Sequence, residues 1–252
     1  MIALLSPAKT LDYKRPLPAI QASRPRFADE ASRLAAAAAK LGPKKLGELM
    51  HISDKLAALN HERFNGFDAQ ADRPALYAFA GDVYVGLEAH TLDEPAVAFA
   101  QDHVRILSGL YGLLRPLESI RPYRLEMGTR WAPGRKKDLY AYWGARIGDL
   151  LARDLEEEGS ATVVNLASRE YWHAVDVARP AGARIVTIDF RDDGPSGPRF
   201  NSFAAKRARG MMARFICEHR IAEPDALKDF DSDGYAFAGD DGEDHWRFVR
   251  SR

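Results

Sequence analysis

Residues 105–128, RILSGLYGLLRPLESIRPYRLEMG, constrain the fold more than any other part of the chain. Four arginines (Arg105, Arg115, Arg121, Arg124) and two glutamates alternate there with Leu, Ile and Tyr, and Pro116 and Pro122 interrupt the run. Proline removes a backbone donor and fixes φ, so no single helix or strand spans the segment. A surface loop would not keep so many apolar side chains, and a core would not ordinarily accept so many guanidinium groups. Two arrangements reconcile these demands. One is a wall, apolar on one side, that presents its arginines to an anion on the other. The alternative is an arginine-rich structural segment neutralised by nearby carboxylates.

The rest of the sequence sets the frame. At 252 residues, 46% apolar and 29% charged, the chain has the composition of a soluble globular protein with a core of ordinary size. It contains no run of about 18 apolar residues of the kind a membrane span needs, and its first residues lack the pattern of a signal peptide. The single cysteine, Cys217, excludes an internal disulfide and fits a reducing compartment, so a cytoplasmic location is expected. Formal net charge is zero, but its distribution is uneven. Residues 1–50 and 105–137 are basic, whereas 51–100 and 223–244 are acidic. Such a patchwork can fold into one basic face and one acidic face, and a partner meets only a face.

In chain order, residues 2–6 read as a first strand, leaving through Ser6-Pro7-Ala8-Lys9-Thr10. That exit lacks the glycines of a phosphate-binding loop. Alanine-rich residues 28–41 predict a helix stopped by Gly42 and Pro43. Residues 43–60 predict two short helices joined at His51-Ile52-Ser53, a helix-hairpin-helix-like spacing in which His51 and Ser53 replace glycines and Ser53 is placed to cap the second helix. A plain helical corner is the alternative. Residues 75–80 read as a strand, followed by a Gly81-Asp82 turn and a short helix. Residues 93–103 read as a helix capped by Asp93, and 104–107 as a strand. Residues 138–158 give the longest helical stripe, and 162–166 a buried strand ending in the polar cluster Ala167-Ser168-Arg169-Glu170-Tyr171. Such clusters at strand carboxyl ends are common ligand positions in α/β sheets. Residues 184–191 form a further strand, with the turn at 192–198 linking it to a neighbour. Residues 202–220 form a helix with Ala204, Ala208, Met211, Met212, Phe215 and Ile216 on one arc. Lys206, Arg207, Arg209, Arg214 and Arg220 lie opposite, and Gly210 permits close backbone approach, to a phosphate if this face meets one. A short strand is expected at 234–237 amid acids, which read as a solvated surface.

No standard catalytic or metal-binding motif is present. The seven histidines are scattered without zinc-ligand spacing, and Cys217 falls on an apolar helix face. No metal site and no cofactor are expected.

The segments Ser6-Pro7-Ala8-Lys9-Thr10, Ile52-Ser53-Asp54-Lys55-Leu56-Ala57, Gly81-Asp82-Val83-Tyr84, Leu107-Ser108-Gly109-Leu110-Tyr111-Gly112, Leu114-Arg115-Pro116-Leu117, Pro122-Tyr123-Arg124-Leu125-Glu126-Met127-Gly128, Asn165-Leu166-Ala167-Ser168 and Lys206-Arg207-Ala208-Arg209-Gly210 together resemble the YaaA family of bacterial peroxide-stress proteins, in order, from residue 2 to about 238. The resemblance implies a cytosolic protein that limits oxidative, iron-dependent DNA damage, with a positively charged cleft and a helix-hairpin-helix element falling on residues 46–59. The expected fold is therefore α+β (mixed α/β): one domain over residues 1–252, with a mixed sheet flanked by helices and the helical hairpin bordering a basic cleft. A monomer and no membrane partner are expected.

Two functions are open on these residues. In the first, DNA is held through its phosphates by Lys9, His51, Ser53, Lys55, Arg115, Arg121, Arg124, Lys206, Arg207 and Arg209, with little sequence specificity and without catalysis. In the second, the polar groups Ser6, Lys9, Tyr123, Glu126, Asn165, Ser168 and Tyr171 converge on a pocket. The chain would then be an enzyme acting on a nucleotide, nucleobase or small phosphorylated compound. Lys9, Glu126, Asn165 and Tyr171 are its catalytic candidates. A duplex-wide groove favours the first; a deep pocket with a buried carboxylate favours the second.

Overall fold

Ile2–Leu5 (β1) is apolar and fully buried, the signature of a strand covered on both faces. It pairs in parallel with Val104–Ser108 (β2) on one side, Ala3 opposite Val104, and with Thr162–Asn165 (β4) on the other, Ala3 opposite Val164. The computed structural model describes residues 1–242 and 244–251. Its main sheet has seven strands. Gly112–Leu114 (β3), Arg184–Asp192 (β5), Tyr235–Asp240 (β6) and His245–Arg250 (β7) complete it in the order β6-β7-β5-β4-β1-β2-β3. The inner pairings are parallel, and β3 and β6 close the two edges in antiparallel register. The buried apolar side chains form one continuous cluster running from Met1 to Phe248. This is the mixed sheet flanked by helices that the sequence predicts.

The helices are Ala28–Ala39 (α1), Gly42–Met50 (α2), Asp54–Asn65 (α3), Asp82–Leu87 (α4), Glu94–His103 (α5), Leu139–Trp143 (α6), Arg146–Glu158 (α7), Arg169–Asp176 (α8) and Ser202–Glu218 (α9). Asp93 caps α5 as expected, its side chain accepting from Ala96 N at 2.8 Å. Several expectations need correction. Residues 75–80 are not one strand. Ala75–Ala78 forms a single helical turn, because Ala75 N and Leu76 N donate to Glu118 O and Pro116 O (2.9 Å each). Only Phe79–Ala80 is extended, pairing with Thr10–Leu11. The stripe over 138–158 is broken into α6 and α7 by Gly144 (φ 53°, ψ −128°), a conformation that favours glycine. Ser53 occupies the N-cap position of α3 but makes no side-chain capping bond. The turn at 192–198 closes a single antiparallel bridge between Asp192 and Arg199, each amide donating to the other's carbonyl (3.0 and 2.8 Å), and the chain then passes on into α9.

The strand β7 was not expected, and it changes the reading of the tail. The acids there lie mostly on the surface, as expected, and four of them are partnered: Asp244 with Arg184 at 2.6 Å, Asp233 with Arg250 at 2.6 Å, Asp225 with Lys228 at 2.6 Å, and Asp241 with Arg247. Glu243, another of these acids, lies outside the described residues.

Residues 105–128 resolve in favour of the structural arrangement at their first half. Arg105 is only 1% exposed, and its Nε donates to Asp154 Oδ2 at 2.5 Å. Its Nη1 donates to the carbonyls of Gln101 and Asp102, which the end of α5 leaves without helical partners. Asp154, on the buried face of α7, also accepts from Arg26 Nη1 (2.6 Å) and Arg115 Nη2 (3.3 Å). Arg26 Nε reaches buried Glu118 at 2.8 Å, and Arg115 reaches Glu157 at 2.6 Å. Burial opposes the charge on Asp154. The hydrogen bonds and charges of Arg26 and Arg105 outweigh it and hold the carboxyl below its ordinary 3.8.

Helix α9 is set by a different contact. A Cβ at Gly210 would lie 1.7 Å from Val83 O, and one at Gly86 would lie 2.0 Å from Arg207 O. The close approach at Gly210 is therefore to α4, not to a phosphate. This crossing turns the buried arc of α9 toward Ala205, Ala208, Met212, Ala213, Ile216 and Cys217, so Ala204 and Phe215 are only half-buried. Arg214 is structural: its Nη1 donates to Leu87 O, Glu88 O and Thr91 Oγ1 at the end of α4.

Asp154→Asn should cost about 3–5 kcal/mol in urea unfolding, since it leaves buried guanidinium groups without their counter-charge. The folded carboxyl lies below its unfolded value, so its stabilisation is complete above the ordinary carboxylate range. It is lost as pH falls through the lowered value. Circular dichroism during acid titration should therefore show the wild type losing stability steeply at low pH, and the variant less so. Gly210→Ala should destabilise by about 1–3 kcal/mol or more through the α4–α9 clash.

Candidate functional site

Strand β1 leads on to β2 on one side of it in the sheet, and β4 leads on to β5 on the other. The carboxyl ends of β1 and β4 therefore flank a topological switch point, where open α/β sheets place ligands. A pocket of about 450 Å³ lies there. Residues 6–10 after β1, 81–83 at the start of α4, 123–126, the start of α8 and one face of α9 enclose it.

Glycines without room for a side chain set its walls. A Cβ at Gly109 would sit 2.3 Å from Leu125 O, so the β2–β3 turn packs directly under residues 123–126. Gly128 N donates to Glu170 Oε1 at 2.9 Å, fastening the end of the same segment to α8. Ser6 joins the two strand ends: its Oγ accepts from Ser168 N at 2.9 Å and donates to Ser168 Oγ at 3.3 Å. Its carbonyl accepts from Tyr84 OH at 3.2 Å.

Hydrogen-bond donors dominate the lining. Ser108 Oγ already accepts from Leu110 N and Tyr111 N, at 3.2 and 2.9 Å, so its own proton goes to Tyr123 OH at 2.6 Å. The Tyr123 proton then has no acceptor among the described residues. Burial raises the phenols of Tyr123 and Tyr171 above the usual tyrosine range, which keeps both as donors. Glu126 Oε1 takes Lys9 Nζ at 3.0 Å and Arg124 Nη2 at 3.0 Å, whereas its Oε2 has no partner among the described residues.

Arg209 differs from every arginine of the 105–128 segment. It lines the pocket and is half-buried, yet it makes no hydrogen bond or ion pair among the described residues. Its Nε is fully covered and unsatisfied. Desolvation lowers its pKa, with only the more distant charge of Asp189 acting against this. Lys206 and Arg207 on the same helix are exposed and have no carboxylate partner among the described residues either.

The pocket thus gathers Ser6, Lys9, Tyr123, Arg124, Glu126, Ser168, Tyr171, Lys206 and Arg209 from the residues singled out in the sequence. Asn165 stays outside it, its Oδ1 accepting from Ala167 N to shape the turn after β4. His51, Ser53 and Lys55 lie exposed on the α2–α3 hairpin and do not line the pocket. Arg115 is held by Asp154 and Glu157. Arg121 sits 3.6 Å from Asp68 and over the Phe67 ring, and Arg207 faces a different groove. Asp82 lines the pocket as well, in keeping with its place after a strand, and so does Glu170, to which only its place in a polar cluster pointed.

Cys217 is fully buried, and burial pushes its thiol up to about 12. Among the described residues no group of three or more His, Cys, Asp or Glu is arranged to hold a metal, and no helix is long and apolar enough to cross a membrane. Exposure of the folded protein to hydrogen peroxide at neutral pH should leave Cys217 unmodified by mass spectrometry, with oxidation appearing only on unfolding.

A UPF0246 protein from Rhizorhabdus wittichii is 67% identical over the full length of both chains. UPF0246 proteins from Saccharophagus degradans and Idiomarina loihiensis are 46% and 48% identical, covering 94% of this chain and 94% and 93% of theirs. A family model described as "Peroxide stress protein YaaA" matches residues 1–241, and the chain belongs to that family.

Proposed function

We propose that this peroxide stress protein binds a small phosphate-bearing ligand, a nucleotide or similar compound, in the pocket between β1 and β4. The observation that carries this reading is Arg209. A half-buried guanidinium whose Nε is covered and unsatisfied is costly, and a phosphate oxygen supplies charge-assisted hydrogen bonds to such a group. Lys206 and the hydroxyls of Ser168, Tyr123 and Tyr171 stand around the same space. The first-turn amides of α8, which Ser168 does not cap, add to the donor side. A volume of about 450 Å³ suits one nucleotide and is smaller than a groove that takes a duplex.

If the pocket is catalytic, Glu126 is its proton-transfer group through Oε2, with Lys9 and Arg124 fixing its rotamer. A second reading, binding of DNA to limit iron-dependent damage, draws support from the α2–α3 hairpin. Lys44, Lys45, His51 and Lys55 are exposed there, and Lys45 alone of these is engaged, with Glu48 at 3.2 Å.

The two readings separate by calorimetric titration with a panel of nucleoside monophosphates and with duplex DNA across a salt series. Arg209→Met should weaken mononucleotide binding about tenfold or more, equivalent to about 1.4 kcal/mol, with a melting temperature equal to or above that of the wild type. Lys55→Ala should leave it untouched. Mononucleotide affinity indifferent to Arg209 would overturn the pocket reading, and a duplex affinity that falls only with Lys55 would favour the hairpin.

A further inference from the structure

Once its internal pairs are made, the pocket retains a carboxylate as well as cations. Glu126 holds Lys9 and Arg124, and Glu170 Oε1 accepts from Gly128 N. Asp82, half-buried in the lining, makes no hydrogen bond or ion pair among the described residues. Its backbone is fixed from both sides. A Cβ at Gly81 would lie 3.1 Å from the Ala8 side chain, so the loop after β1 packs against the residue before it. Val83, the residue after it, supplies the carbonyl that closes on Gly210.

Arg209 precedes Gly210 as Asp82 precedes Val83. The tightest contact between α4 and α9 therefore has an unpaired carboxylate beside it on one helix and an unpaired guanidinium on the other. Both line the pocket, yet they do not pair with each other. Packed helices lie about 8–10 Å apart, and Gly86 and Gly210 keep this crossing at the short end. A ligand that satisfies both charges must carry an anion and hydrogen-bond donors close together. A carboxylate accepts and cannot donate, and beside a phosphate it repels. A site for phosphate alone has no use for one.

In a nucleotide the group next to the phosphate is the sugar, and the base edge lies farther out. Ribose presents a vicinal diol, whose two hydroxyls match the two oxygens of a carboxylate; acidic residues hold ribose hydroxyls in this way in dinucleotide-binding folds. Deoxyribose breaks that pair. We infer that Asp82 selects the sugar of the ligand, accepting the vicinal hydroxyls of a ribose while Arg209 holds the phosphate. The inference rests on the phosphate reading of the pocket and adds to it the identity of the ligand as a ribonucleotide rather than a deoxyribonucleotide.

The test is calorimetric titration of the full chain with adenosine and guanosine monophosphates, their deoxyribose counterparts and inorganic phosphate. Wild type, Asp82→Asn, Asp82→Ala and Arg209→Met are compared. Wild type should bind each ribonucleotide about tenfold tighter than its deoxy counterpart. Asp82→Ala should remove that preference by weakening the ribonucleotides, whereas inorganic phosphate, relieved of a like charge, should bind as well or better. Asp82→Asn, which keeps one acceptor oxygen and the size of the side chain, should fall between. Arg209→Met should weaken ribo and deoxy forms alike and preserve their ratio. Equal affinity for the two sugars in wild type, or a ratio that survives Asp82→Ala, would overturn the inference. The phosphate pocket would still stand if Arg209→Met weakened both forms. A carboxylate in a first helical turn also favours the helix dipole; an Asp82→Ala effect on melting temperature alone would reduce Asp82 to that role and overturn the inference. A preference between the two bases that Asp82→Ala removes would reassign the carboxylate to the base edge and overturn the sugar reading. No binding of any of these ligands would overturn both the sugar reading and the phosphate pocket.

Discussion

One buried carboxylate organises the molecule. Asp154 projects from the inner face of α7 and collects guanidinium groups from three separate parts of the chain: Arg26 ahead of α1, Arg105 on β2 and Arg115 after β3. A buried ion cluster is not a large net source of stability, because desolvation offsets much of its attraction. It is intolerant of rearrangement, however, since any other packing leaves a charge alone in the core. The cluster therefore specifies where β2, β3 and the segment that follows them lie against α7. That segment goes on to supply Tyr123, Arg124 and Glu126 to the pocket.

The arginines divide into two populations with different work. Those of the 105–128 segment all face acceptors within the protein: Arg105 and Arg115 at Asp154, Arg121 at Asp68, Arg124 at Glu126. Those of α9 are split again, with Arg214 holding the end of α4 while Arg207 and Arg209 have no carboxylate partner among the described residues. Basic composition alone does not mark a binding surface. The charges that remain available are those the fold leaves without an internal partner, and of these Lys206 and Arg209 line the pocket at the carboxyl ends of β1 and β4.

Much of this was legible in the sequence, because local rules govern it. The buried run at residues 2–5, the Asp93 cap and the apolar arc of α7 announce themselves by burial pattern and spacing. The polar residues after β1 and β4 were recognisable as pocket residues from their place at strand ends. What was hidden depends on partners distant in sequence. Nothing near Arg105 indicates that Asp154, 49 positions away, will neutralise it. Gly210 signals a close approach but not what approaches; only the fold shows that Gly86 is its counterpart. Residues 75–78 turn helical because carbonyls of 116 and 118 take their amides, which no propensity scale records.

The burial of Cys217 has a companion among the thioethers. Met1, Met50, Met127 and Met212 are each 5% exposed or less, and only Met211 reaches partway to the surface. Sulfoxide formation makes an apolar side chain polar and disrupts a core, but it requires access to the sulfur. A peroxide stress protein must keep its shape while oxidant accumulates around it. Here nearly all the easily oxidised atoms are packed away from solvent, so the folded state shelters its own weakest chemistry and leaves working groups at the surface, such as guanidinium and ammonium, that peroxide does not readily attack.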